Sequence, residues 1–121
     1  MPAEEFVNRA DDASAYLEVS TATETRASAV ALAQRAVETR LAAGAQITGP
    51  AVSAFWHMGE FGTGEEWRLV LRTHESRFAE LRDLLKRHHP WQNPEIIAMR
   101  MAGGSAEYLA WIRSTVLSEN G

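Results

Sequence analysis

The stretch "AVSAFWHM", Ala51 to Met58, limits the possible folds more than any other part of the sequence. Read as a strand, it places Val52, Ala54 and Trp56 on one face and Ala51 and Phe55 on the other. A strand that is apolar on both faces needs cover on both. Helices from the same chain are expected on one side. In a chain of 121 residues, a second copy of the chain is the expected cover on the other.

The flanking segments supply the remaining elements. "YLEVST" (Tyr16–Thr21) alternates, with Leu17 and Val19 opposed to Tyr16, Glu18 and Ser20, as a half-buried strand does. Thr21, Thr23 and Thr25 are each able to cap the helix that follows. From Arg26 to Ala43 the period becomes helical, with Val30, Ala33, Val37 and Leu41 as the stripe and Gly44 as the stop. Gly49-Pro50 predicts a bend or bulge before the apolar strand. "GEFGTGEE" reads as a glycine-rich turn into "WRLVLRT", which makes a hairpin. A second helix runs from about Ser76 to His88, with Phe78, Leu81, Leu84, Leu85 and His88 on its apolar side. "PEIIAMRM" is a fourth strand. Ser105 caps a last helix whose apolar face is Tyr108, Leu109, Ile112 and Val116.

The order β-α-β-β-α-β-α predicts an α+β fold: a ferredoxin-like β-α-β-β-α-β sandwich with an extra C-terminal helix. Residues 1–14 read as a flexible N-terminal leader, and 15–118 as a single domain. The tail "SENG" is expected to fray.

Composition narrows the function. A net charge of −4 lacks the basic surface that general nucleic-acid binding needs. With no cysteine, disulfides and thiolate metal sites are excluded. There is no run long and apolar enough to span a membrane, and the acidic leader lacks an apolar signal core, so a cytoplasmic location is expected.

"HHPWQNPEI" (His88–Ile96) carries the densest chemistry. His88 and His89 are the metal candidates, because imidazole suits Cu(II), Ni(II) and Zn(II). Adjacent helical residues point about 100° apart, so one ion takes both only where the helix end relaxes. Glu95 or His57 would supply a third ligand. The plainer reading packs His88 on the helix's apolar side and lets His89 cap the last carbonyls. Pro90 stops the helix and Pro94 delivers the chain into the fourth strand. Glu95 is a metal ligand, a general base or an ion-pair partner for Arg68, Arg72 or Arg100.

Taken together, "RLAAG" (Arg40–Gly44), Gly59-Glu60, "HHPWQNPEI" and "EYLAWIR" (Glu107–Arg113), in this order and spacing, resemble the CutA divalent-cation tolerance proteins. The likeness runs from about Tyr16 to Val116. It implies a tight homotrimer similar to the PII signalling proteins, a role in divalent metal response, and weak binding of copper or another divalent cation. No general catalytic mechanism comes with it. Gly44 stands where the family usually has cysteine. Ser20 or Thr21 stands where some bacterial members have another. His57 replaces a tryptophan, Arg72 a lysine and Trp91 a tyrosine. In such a trimer His57, Arg72, His89, Trp91 and Glu95 would line a cleft between subunits able to hold a small anion or polar metabolite. The alternative function is therefore a PII-like small-molecule-binding protein, or a specialised enzyme acting at that cleft.

Overall fold

A computed structural model describes residues 13–117. The chain runs β1 (Tyr16–Thr23), α1 (Arg26–Glu38), β2 (Gly44–His57), β3 (Glu60–His74), a 3-10 turn (Glu75–Arg77), α2 (Phe78–His88), β4 (Ile97–Arg100) and α3 (Ala106–Leu117). The strands form one sheet in the order β2-β3-β1-β4. Every hydrogen-bonded pair is antiparallel. The strands joined by helices, β1 with β2 and β3 with β4, share a direction but are separated by another strand. This is the ferredoxin-like arrangement, with α3 added.

The core lies between the sheet and helices α1 and α2. Leu17, Val19, Leu69 and Leu71 on the strands meet Leu32, Ala33, Ala36, Leu81, Leu84 and Leu85. A second, smaller cluster seats α3 at the end of the sheet, where Leu109, Ile112 and Val116 close over Tyr16 and Ala43. Ala13 is buried in this cluster, and the Ser14 carbonyl accepts from Arg100 at 2.6 Å. The folded part thus reaches into the stretch expected to be leader; the remainder of the leader and the "SENG" tail lie outside the described residues.

Several expectations are corrected. Helix α1 ends at Glu38, five residues earlier than expected, and Gly44 opens β2 rather than stopping the helix. Arg40 takes the left-handed conformation (φ 61°) instead. The Leu41 and Ala42 amides then both donate to the Ala36 carbonyl, which closes the helix end. The buried stripe of α1 is Ala29, Leu32, Ala33 and Ala36; Val37 packs only at its edge. Small residues let the helix lie close on the sheet. Thr25 is the cap, accepting from the Ser28 amide.

The glycine-rich turn is also shorter than expected. It is only Met58-Gly59, both at positive φ (52° and 80°), as a two-residue primed hairpin turn requires. Gly62 and Gly64 sit inside β3, where the Phe55 ring lies over them; a Cβ on Gly62 would come within 2.9 Å of it. The fourth strand shrinks to Ile97–Arg100. Gly49-Pro50 forms the expected bulge, and its peptide bond is cis.

Beyond that bulge the sheet narrows to two strands. β1 pairs with β3 only from Trp67 to His74, whereas β2 and β3 go on pairing from Ala51↔Glu66 to His57↔Glu60. This two-stranded arm is roughly 20 Å long at the usual rise per residue. Among the described residues, no other element covers either of its faces. Val52 is 82% exposed, Trp56 74%, Phe61 64% and Met58 89%. The expectation that helices of the same chain cover one face therefore fails here, because the arm extends past the ends of the strands on which α1 and α2 rest.

Candidate functional site

The segment from His89 to Ile96 links α2 to β4 and is pinned at both ends. At its start, α2 stops at His88, and His89 turns extended (ψ 139°). The turn leaves His88 outward and swings His89 inward, to 8% exposure. This reverses the plainer sequence reading, which puts His88 on the apolar side. His89 Nδ1 accepts from the Trp91 amide at 3.0 Å. His89 Nε2 lies 2.9 Å from the Ala22 carbonyl and 3.1 Å from Thr21 Oγ1. A carbonyl only accepts and an amide N–H only donates, so the ring is neutral with its proton on Nε2. Burial, partly opposed by the Ala22 hydrogen bond, lowers its pKa below the ordinary histidine value.

At the far end, Glu95 receives both terminal nitrogens of Arg68, at 3.0 and 2.8 Å. This forked pair is about one-third exposed. The Arg68 hydrogen bonds hold the Glu95 carboxyl below the usual carboxylate range, against a smaller effect of burial. Between the two pins stands Trp91, half-buried, its ring 5.3 Å from that of His89.

The remaining candidates lie elsewhere. Arg72 is directly cross-strand from Glu18 and donates to it at 3.2 Å. His57 is at the tip of the arm, opposite Glu60. Eight residues of β3 separate Glu60 from Arg68, on the order of 25 Å of extended chain. One chain therefore brings together His89, Trp91 and Glu95 with Arg68, and leaves His57, Arg72 and His88 apart.

This geometry limits the chemistry. Both ring nitrogens of His89 are engaged with backbone groups, so it offers no lone pair to a cation or a substrate proton. Glu95 is ionised and already bridged by Arg68. His88 is exposed; desolvation and the charges of Arg35 and Arg87 lower its pKa. Among the described residues no three His, Asp or Glu side chains are grouped to hold a metal ion. A resident metal does not fit this site as one chain builds it.

Sequence reasoning misses the partners rather than the residues. Alternation leaves three arginines open to Glu95 and marks Glu18 only as an outward residue. The β1–β3 register, which sets Glu18 against Arg72 and Ala22 against Arg68, selects the first pair, and the β1–β4 register, which sets Ser20 against Ile97, brings the segment before β4 toward Arg68 for the second.

The sequence profile of the CutA1 divalent ion tolerance protein family matches residues 17–115. The chain belongs to that family. A divalent-cation tolerance protein CutA from Archaeoglobus fulgidus is 36% identical over 85 residues, covering 70% of this chain and 82% of the relative. The solved structure of the periplasmic divalent cation tolerance protein CutA from Archaeoglobus fulgidus superposes with a TM-score of 0.81 at 32% identity, covering 84% of this chain and 98% of that one. The divalent cation tolerance protein from Thermus thermophilus gives 0.80 at 32% identity, over 83% and 97%. The CutA match includes both pins of the His89–Ile96 segment and the whole arm.

Proposed function

We propose that this chain acts as a non-catalytic homotrimer in the response to divalent cations, with its working surface at the seams between copies. The observation that carries this reading is the arm. Two strands in isolation are at best marginally stable in water, and these two expose Val52, Trp56 and Phe61 on one face. Copies of the same chain are the simplest cover. Membership in the CutA family supports the cation side of the reading.

Cation binding in this account is weak and uses exposed imidazoles. His57 is the stronger candidate, since Glu60 stands opposite it and adds a carboxylate. His88 is weaker, because Arg35 and Arg87 act on it electrostatically and the same positive field repels a dication. Calorimetric titration of Cu(II) and Zn(II) into wild type, His57→Ala and His88→Ala tests this. The expected result is a large loss of heat for His57→Ala and a small one for His88→Ala. Identical heats in all three proteins would remove the cation role from these residues.

A second reading rests on the Arg68–Glu95 pair beside Trp91, which gives an aromatic wall and two charges to a cleft between subunits. There the chain would hold a small polar metabolite. A thermal-shift screen with metabolite mixtures tests it, and the absence of any ligand-induced shift counts against it.

A further inference from the structure

Several arginines of the folded chain already hold a carboxylate. Arg68 pairs with Glu95, Arg72 with Glu18, Arg77 with Glu80, Arg82 with Asp83 and Arg100 with Glu75. Among the cations without one are Arg35 on α1 and Lys86 and Arg87 on α2. All three are exposed, and none makes an ion pair among the described residues. Acids stand within one helical turn and are not used. Glu38 follows Arg35 by three residues without pairing with it, and Asp83, three and four residues before Lys86 and Arg87, is turned to Arg82.

These cations gather on one surface. Leu32 and Leu84 share the core beneath α1 and α2. Arg35 and Arg87 each follow one of those leucines by three residues, so both stand on the flank of their helix just outside the core. After desolvation, the charges of Arg35 and Arg87 lower the pKa of the exposed His88. The two helices thus bring their positive groups within electrostatic reach of one another. Each helix dipole favours a cation in its own last turn, but it offers nothing against the repulsion between the two groups.

The surface also limits what can cover it. The large exposed apolar side chains lie on the arm, β4 and α3, and none on α1 or α2, so this face has nothing to insert into lipid. An extended nucleic acid is a poor match as well. The chain carries a net charge of −4, and from Gly49 to Glu66 it has Glu60, Glu65 and Glu66 but no lysine or arginine. A long polyanion gains only a few contacts and is repelled by the chain as a whole. A short run of carboxylates meets the three cations and ends there.

We propose that Arg35, Lys86 and Arg87 form a docking face for an acidic segment of a partner protein. The field that makes His88 a poor ligand for a dication is the field that draws in carboxylates. The face uses neither the arm nor the Arg68–Glu95 pair, so it stands independently of the trimer and cation readings. Contacts between exposed charges form fast and are screened by salt, so the docking is reversible and salt-sensitive.

Fluorescence anisotropy of a labelled oligoglutamate peptide, titrated with the full chain, tests this. Binding is expected at about 20 mM salt and should weaken markedly at about 150 mM. Arg35→Ser with Arg87→Ser should weaken it about tenfold. Arg26→Ser, which removes an exposed cation from the opposite end of α1, should leave it unchanged. In the wild type, the peptide should shift the backbone amide resonances of the last turns of α1 and α2 and not those of the arm, which locates the face without any variant. No binding at low salt overturns the proposal. So do equal affinity in the double variant, an equal loss in Arg26→Ser, or amide shifts confined to the arm. A DNA oligonucleotide of the same charge that binds as tightly through the same arginines overturns the assignment to an acidic protein segment.

Discussion

The four-stranded part of the sheet and the two-stranded arm are built from the same strands, β2 and β3, yet they solve opposite problems. In the sheet, Leu69 and Leu71 are fully buried beneath α1 and α2. A few residues earlier in β3, Phe61 faces solvent. The pairing is equally regular in both regions. What differs is the cover. Backbone ladders set the shape of both, but only the sheet part finds its apolar partners within the chain. The arm carries a core-like surface with no core.

The comparison is broken most severely by removing the arm's apolar face. Trp56→Ser with Phe61→Ser should leave the protomer fold intact by circular dichroism and abolish self-association. Burying such side chains is worth about 1.5–3 kcal/mol each, and the effect is repeated in every copy. Unchanged association would mean that the arm is not the seam.

Leu71→Ala tests the other region. It removes a fully buried side chain and should cost about 3 kcal/mol, seen as a fall of roughly 10 °C in the thermal midpoint. A loss under about 1 kcal/mol, well below the usual range for such a truncation, would show that the sheet is less dependent on this core than its burial implies.

The junction between the regions comes next. A Cβ on Gly49 would lie 2.8 Å from the Trp67 ring and 3.1 Å from the Glu66 carbonyl. Gly49→Ala should therefore cost about 1–3 kcal/mol in a denaturant titration, through the base of the arm rather than through the core. A neutral result would show that Trp67 moves freely.

The smallest effect is at the loop. Glu95→Gln removes one charge of a forked pair that is about one-third exposed. Solvent screening limits the loss to about 1 kcal/mol or less. A loss well above that would show that the pair supports more than the loop.

Much of the fold was legible because it rests on alternation and period. Leu17 and Val19 opposed to Glu18 and Ser20, and Leu81, Leu84 and Leu85 on one side of α2, announce their elements directly. The order of those elements left few topologies open. Ends were harder. No residue type marks Arg40 as the left-handed residue that closes α1, since arginine has no preference for that conformation; it is the helix-end hydrogen bonds of the Leu41 and Ala42 amides to the Ala36 carbonyl that go with it. Gly62 and Gly64 look like turn residues until Phe55 is placed over them.

The site was legible as a segment and not as a set of contacts. "HHPWQNPEI" does stop a helix and start a strand. Which histidine turns inward depends on where α2 lets go, a matter of one residue. The Arg68–Glu95 and Arg72–Glu18 pairs depend on cross-strand register, which alternation alone leaves unset. The distance of His57 from Glu95 follows from the arm's length, which the expected glycine-rich turn concealed.

Both the proposed trimer and the role of its seams require that copies of this chain cover the arm. Sedimentation equilibrium of the full chain at micromolar concentration measures this directly. The predicted result is a species of about three times the 13.4 kDa chain mass. A well-folded single copy under those conditions would contradict it.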